Sequence, residues 1–161
     1  MRLYIVRHAD ANPKEADAER HLSPEGEKEM RQVARLLKPL GLRVGVIWHS
    51  GKTRAAETAE ILATAIRSAA GIVQHSGLDP DDPVRPIAKE AEAAPTDLAL
   101  VSHLPMVGLL ASRLLVGKEI GGLLGFATAT VACMERDDAG QWRLVWMVGP
   151  EVAPPGPGEK H

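Results

Sequence analysis

The sequence predicts an α/β protein, a three-layer α/β/α sandwich around a mostly parallel central sheet. Short apolar runs alternate with amphipathic segments, several of these runs end abruptly in polar residues, and the last two runs are separated only by a turn. Alternating strands and helices are typical of βαβ units, whose helices cover both faces of a parallel sheet. The last two runs predict a terminal hairpin.

The strands of this sheet are predicted from runs of apolar residues bounded by polar or turn residues. Trp142 and Trp146, four residues apart in the last run, are expected to share one face because side chains alternate along a strand. The predicted strands are Leu3–Val6, Val44–Trp48, a weak candidate at 71–74, Leu98–Ser102, Ala127–Met134 and Trp142–Val148.

The helices are predicted from apolar residues at helical spacing and from capping signals. Ser23 and Pro24 provide an N-cap and a first helical position, and Pro39 with Gly41 ends that helix. A proline- and aspartate-rich stretch, 79–86, predicts a loop. The other helices are expected at about 53–68, 87–93 and 106–115.

Length and composition favour one domain. The chain has 161 residues, of which 45% are hydrophobic and 25% charged, as in ordinary globular proteins. We predict a domain over residues 1–148 and a flexible tail, rich in proline and glycine, over 149–161. The net charge of −2 offers no overall attraction for nucleic acid or anionic membranes, and neither is expected as a partner. The single cysteine, Cys133, and the lack of a predicted signal or spanning segment favour the cytoplasm.

The polar residues that end the strands predict the site. In open α/β sheets, ligands bind beyond the carboxyl ends of the strands. Arg7 and His8 follow the first strand, Arg54 lies in the first turns of the helix after the second, and His103 follows the Leu98–Ser102 strand. Arginines match the geometry of phosphate and repel metal cations, so the predicted ligand is a phosphate, with no metal or other cofactor.

These residue types also suggest a reaction. A histidine beside arginines can attack phosphorus through a ring nitrogen and form a phosphohistidine, and His8 is the candidate. His103, Arg7 and Arg54 can then stabilise the charge that develops on the transferring group.

Three segments, Leu3–Asp10, Ser50–Thr58 and Val101–Gly108, resemble the signature segments of the histidine phosphatase superfamily, in that family's order. The short chain, the Arg20–Gly26 segment and the Ser-His-Leu-Pro form of the last motif are most similar to the SixA-type phosphohistidine phosphatases. The resemblance covers about residues 1–148 and implies a phosphoglycerate mutase-like fold and a phosphatase with a histidine nucleophile.

By this resemblance, His8 is the phosphorylated nucleophile, Arg7 and Arg54 are phosphate clamps, His103 is the second pocket histidine, and Arg20 binds substrate at the rim. Ala9 departs from the family, which usually has glycine after the nucleophile. A second departure is that no acid is selected by spacing to protonate a leaving group. The acids in the corresponding region are Asp79, Asp81, Asp82, Glu90 and Glu92.

An imidazole leaves more easily than an alkoxide, so the missing acid favours a phosphoramidate substrate. We therefore predict a monomeric phosphohistidine phosphatase that acts on a phosphorylated partner protein, such as a histidine-containing phosphotransfer domain. Two alternatives remain: a phosphomonoesterase of the same fold that acts on a small-molecule phosphate, and a non-catalytic phosphate-binding module.

Overall fold

The computed structural model describes residues 1–156 and 158 and contains a six-stranded sheet and a separate pair of short strands. The sheet has the order β5-β3-β6-β1-β7-β8, in which the first four strands are parallel and the last two antiparallel. The strands are β1 (Arg2–Arg7), β2 (Arg43–Val44), β3 (Val46–His49), β4 (Arg67–Ser68), β5 (Ile72–Gln74), β6 (Leu98–Ser102), β7 (Val131–Arg136) and β8 (Trp142–Val148).

Four α-helices cover the sheet, two on each face: α1 (Pro24–Leu37), α2 (Thr53–Leu62), α3 (Val84–Ala93) and α4 (Met106–Val116). On one face α1 and α2 pack against Tyr4 and Val6, and on the other α3 and α4 pack against Leu3 and Ile5. Successive residues of β1 therefore point into different core layers, which is why this strand is apolar throughout. The predicted three-layer α/β/α sandwich is confirmed.

The N-terminus of α1 confirms its sequence signals. The Ser23 hydroxyl accepts a hydrogen bond from the Gly26 N–H at 3.0 Å, and Pro24 occupies the first turn. Ser23 also donates to the Asp10 carboxylate at 2.6 Å. The cap therefore ties the helix to the segment that follows β1.

The central strands bring three chain segments to one end of the sheet. β6 lies between β1 and β3, with Arg7 paired to Ser102 and His49 paired to Val101. Because all three strands run in the same direction, the residues that follow them meet at a common edge.

Several predicted boundaries are wrong. The second helix ends at Leu62 rather than near Ser68, because the Arg67 N–H pairs with the Leu42 carbonyl and forms β4 beside β2. At these residues the pairing of β4 with β2 outweighs the local preference for helix. The third helix begins at Val84 rather than at residue 87, since proline is tolerated in a first turn. β2 and β3 also divide the predicted strand at 44–48.

The terminal hairpin forms, but its first strand begins at Val131 rather than Ala127, after Ala129 has taken a left-handed conformation with φ of 60°. Trp142 and Trp146 do not share a face: Trp142 packs with the α3–α4 side and Trp146 with the α1–α2 side. The pairing of β7 with β8 shifts register at Cys133 and Met134, so β8 contains one extra residue between Trp142 and Trp146. This extra residue reverses the alternation of side chains along β8.

The predicted tail begins with a packed segment. Pro150–Val152 forms a 3-10 turn beside α1, and Ala153 is buried in the core cluster on that face. Residues 157 and 159–161 lie outside the described part of the chain. Within the described residues, no helix is long and apolar enough to cross a membrane.

Candidate active site

His8 is fixed just beyond the end of β1. Its N–H donates to the Ser102 carbonyl at 3.0 Å, and its carbonyl accepts from the Ala129 N–H at 3.2 Å. The backbone of His8 is therefore held between the end of β6 and the segment that leads into β7. This continues the sheet's hydrogen bonding past the strand and leaves little freedom for the nucleophile candidate.

The ring of His8 is oriented by the next residue. Its Nδ1 lies 2.6 Å from the carbonyl oxygen of Ala9. Because a carbonyl only accepts, Nδ1 carries the ring proton, and the lone pair of the neutral ring is on Nε2. Nε2 is thus the atom that can attack an electrophile.

The surroundings keep this ring neutral. Burial lowers the pKa of His8 to about 4, and the positive charges of Arg54 and Arg7 act in the same direction against the opposing effect of the Ala9 carbonyl. The lone pair is therefore free at neutral pH without a separate base to remove a proton.

His103 lies directly beside His8. The two ring centroids are 5.0 Å apart, with the planes inclined at 53°. Burial, with the proximity of His8 and Arg54, lowers the pKa of His103 to about 3. Both rings are therefore neutral in a pocket whose fixed positive charge comes from arginine.

Ser50 contacts the Nε2 edge of the His103 ring. Its Oγ lies 2.7 Å from His103 Nε2 and accepts the Lys52 N–H at 3.3 Å. The serine hydroxyl can then donate its own proton to Nε2, which leaves the ring proton on Nδ1. In that tautomer Nδ1 is a donor, and it is buried with no hydrogen-bond partner among the described residues.

Arg7 and Arg54 supply the charge. Arg7 Nη1 donates to the Phe126 carbonyl at 2.8 Å, which fixes its guanidinium group, and burial lowers the pKa of both arginines from their usual value. The Nε atoms of both side chains are buried with no partner in the described structure. Together with His103 Nδ1, they form a set of unsatisfied donors suited to a tetrahedral oxyanion.

Thr58 joins the nucleophile segment to the helix that carries Arg54. Its hydroxyl donates to the Arg54 carbonyl at 2.7 Å and accepts the Ala9 N–H at 3.0 Å, and the residue is fully buried. This side chain positions two parts of the site without facing the pocket itself.

Arg20 lies at the rim. Its Nε donates to the Asn12 carbonyl at 2.9 Å, and its charge contributes to lowering the pKa values of His8, Arg54 and His103. Its backbone has φ of 53°, a left-handed conformation that costs a non-glycine residue about 1 kcal/mol. Such strain is concentrated at functional positions.

Ala9 accommodates its methyl group in the core. The residue is completely buried in the α1–α2 cluster, and it is not among the described residues with positive φ. The departure from glycine therefore causes no backbone strain.

The candidate acids are dispersed. Asp79 lies close enough to Arg54 for its negative charge to raise the pKa of that arginine, against the lowering caused by burial. Glu90 is paired with His75 at 2.6 Å. In the described structure, no hydrogen bond joins a carboxylate to His8 or His103. Nor do the described residues contain a group of three or more His, Cys, Asp or Glu that could hold a metal ion.

The structure thus brings together the four residues predicted to form the pocket, with Arg20 beside them. The sequence reasoning missed Ser50 and Thr58, although both delimit a segment on which the family resemblance depends. It also missed the Phe126 carbonyl, for which the sequence has no signal because the contact is made by backbone.

Comparisons with known proteins show what the sequence and the fold are similar to. Residues 3–80 match the model of the histidine phosphatase superfamily (branch 1). No curated protein matches the chain at a significant level. The protein histidine phosphatase SixA in complex with tungstate has a similar structure, with 26% identity, a TM-score of 0.80, and coverage of 93% of this chain and 97% of that one.

Two further structures extend the comparison. A candidate phosphohistidine phosphatase SixA from Agrobacterium tumefaciens has 25% identity and a TM-score of 0.75, covering 92% of this chain and 97% of that one. A phosphoserine phosphatase mutant from Entamoeba histolytica, in complex with phosphoserine, shares the fold at 12% identity and a TM-score of 0.67, covering 91% of this chain and 95% of that one.

The match of residues 3–80 to the histidine phosphatase superfamily, together with the fold shared with solved phosphatases, supports phosphatase activity. Within that superfamily, the SixA phosphohistidine phosphatases are similar to this chain over nearly its whole length.

Proposed function

We propose that the protein hydrolyses phosphohistidine on a partner protein, with His8 as the nucleophile. The observation that carries this proposal is the neutral His8 ring, whose Nδ1 proton is held by the Ala9 carbonyl while Nε2 keeps its lone pair near Arg7 and Arg54, whose Nε atoms are buried. A phosphate-binding module would need the arginines but has no use for a nucleophile prepared in this way.

The reaction has two half-reactions. In the first, the Nε2 lone pair of His8 forms a bond to phosphorus while the substrate's P–N bond breaks, and the departing imidazole takes a proton from solvent. In the second, water bonds to phosphorus, the bond to Nε2 breaks, the lone pair returns to His8 and the proton from water goes to solvent. Arg7, Arg54 and His103 Nδ1 stabilise the phosphoryl oxygens in both.

The substrate class is inferred from the leaving group. Of the candidate acids, Asp79 is the one whose charge acts on Arg54, and no carboxylate is hydrogen-bonded to either pocket histidine in the described structure. An imidazole takes its proton readily and needs less assistance. A histidine-containing phosphotransfer domain is the kind of partner we propose, which would give the protein a role in signal transduction.

The setting is also part of the proposal. We propose that the protein acts as a monomer. Cys133 is a buried free thiol, which fits the reducing cytoplasm.

The test is release of inorganic phosphate from a phosphorylated phosphotransfer domain, from phosphoramidate and from a panel of small phosphate monoesters. We expect the native protein to favour the two P–N substrates and His8→Ala to lose turnover. His21→Ala is the matched control, because His21 is an exposed histidine paired with Asp17. Preference for a monoester would assign the protein to small-molecule substrates, and no turnover on any of them would favour a binding module.

A further inference from the structure

A basic groove opens beside the phosphate pocket. It has a volume of about 460 Å³, and its lining includes Lys14, Arg20, Lys52 and Arg54, with Glu19 as its acidic member. The chain as a whole carries a net charge of −2, so this positive surface is local. Arg54 belongs to both the groove and the pocket, which makes the two continuous.

Two acidic residues near the groove, Asp17 and Glu19, pair with His21 rather than with the basic side chains of the groove, at 3.0 Å and 3.2 Å. Neither Lys14 nor Lys52 forms an ion pair with a carboxylate in the described structure. Since Arg20 donates its Nε to a backbone carbonyl, its charge also remains uncompensated.

An exposed apolar residue lies next to the pocket in the chain. Leu104 follows His103 directly and is 43% exposed. A basic groove that continues into a reactive centre can direct the approach of a partner protein of complementary charge.

We propose that this groove binds acidic side chains that flank the phosphohistidine on the partner protein. Lys14 is the residue that we assign to docking alone, because it lines the groove and is not among the largest charges that act on His8 or His103. By contrast, the charge of Lys52 lowers the pKa of His103, and the charge of Arg20 lowers the pKa values of both His8 and His103. The inference rests on the proposed function, since it names the partner of the same site.

The test compares a large and a small substrate. The probes are a phosphorylated histidine-containing phosphotransfer domain with aspartate or glutamate beside its phosphohistidine, and phosphoramidate. We expect Lys14→Glu to lower kcat/KM for the domain about fivefold and to weaken its salt dependence, with phosphoramidate turnover unchanged. Lys38→Glu is the matched control, because Lys38 lies outside the groove, in the turn after α1.

A binding readout separates this proposal from the proposed function. The phosphorylated domain is titrated against the His8→Ala protein at low and high salt, with and without Lys14→Glu. Binding that depends on Lys14, without turnover by the native protein, would uphold the groove and reject the proposed reaction. Three results would overturn the groove as a docking surface: kcat/KM for the domain that is unchanged in Lys14→Glu, kcat/KM that falls equally for the domain and for phosphoramidate, and binding of the domain that does not depend on Lys14.

Discussion

The Thr58 hydroxyl accepts the N–H of Ala9, the residue next to the nucleophile candidate, at 3.0 Å. The same hydroxyl donates to the carbonyl of Arg54 at 2.7 Å. One fully buried side chain therefore sets the distance between the His8 segment and the helix that supplies a phosphate clamp.

Loss of this hydroxyl should reduce activity through geometry. We expect Thr58→Val to lower kcat about tenfold, because small displacements of reacting groups are costly, and to destabilise the fold by about 1–2 kcal/mol through the unpaired Ala9 N–H. Thr58→Ser keeps the hydroxyl and should restore most of kcat. Phosphate-release kinetics and urea unfolding measure the two effects, and equal kcat values in the Val and Ser variants would refute the positioning role.

The unsatisfied donors of the arginines predict binding of free phosphate. Inorganic phosphate should raise the Tm of the native protein, and Arg54→Lys should weaken its binding about tenfold because lysine lacks the Nε donor and the planar fork. Arg31→Lys is the control, since Arg31 is an exposed residue paired with Glu27. Thermal unfolding over a phosphate series gives the affinities, and identical curves for the two variants would contradict this assignment.

The lowered histidine pKa values predict an acid-sensitive fold. Below the ordinary pKa of 6.5 the unfolded chain protonates His8 and His103, whereas the folded protein resists protonation until about pH 4 and about pH 3. Stability should therefore fall as the pH drops from 6.5 to 4, by about 1 kcal/mol per pH unit for each ring.

Urea unfolding at several pH values measures this slope. His8→Gln and His103→Gln should each make the slope shallower, because glutamine does not titrate. His21→Gln should not make the slope shallower, since His21 is exposed and its neighbour Asp17 raises the pKa of His21. An unchanged slope in both pocket variants would show that these rings do not resist protonation.

Gly26, the single glycine of α1, is predicted not to tolerate a side chain. A Cβ atom at this position would lie 2.0 Å from the carbonyl oxygen of Asp10, which is backbone and cannot move aside easily. Gly26→Ala should destabilise the fold by about 2–3 kcal/mol. Gly121→Ala is the control, because a Cβ there meets no described atom within 4 Å. Similar unfolding free energies for the two variants would show that α1 can shift away from Asp10.

Arg20 should contribute to activity and not to net stability. In Arg20→Gly the relief of left-handed strain, about 1 kcal/mol, offsets the loss of the hydrogen bond to Asn12, so the unfolding free energy should change little. Phosphate release should nevertheless fall about tenfold because a charge at the rim is lost. Full activity in this variant would remove Arg20 from the site.

The positions of the pocket residues could be predicted because strand ends in a parallel sheet meet at one edge. Arg7, His8 and His103 follow strands whose apolar runs are easy to recognise, and Arg54 follows from the helix after β3. The contacts that refine the site could not be predicted in this way. The Ser50–His103 and Thr58–Ala9 hydrogen bonds join residues 53 and 49 positions apart, and no local pattern encodes them.

The errors in the fold have similar causes. Residues 65 and 66 continue the apolar stripe of α2 and are buried as predicted, but they lie in turns because the next residues pair with β2. The prediction that Trp142 and Trp146 share one face was wrong because a bulge is a property of two paired strands. It cannot be recognised from the side-chain pattern of either strand alone.

The central claim is that His8 Nε2 becomes phosphorylated during turnover. The most direct measurement is rapid mixing of the protein with phosphoramidate, quenching at high pH, and mass spectrometry of the peptide that contains His8, with His8→Asn and His21→Asn in parallel. A phosphoryl group on His8 that forms and decays at the rate of turnover, absent from His8→Asn and retained in His21→Asn, is the predicted result. Turnover at the native rate by His8→Asn, or a phosphoryl group on another residue, would contradict it.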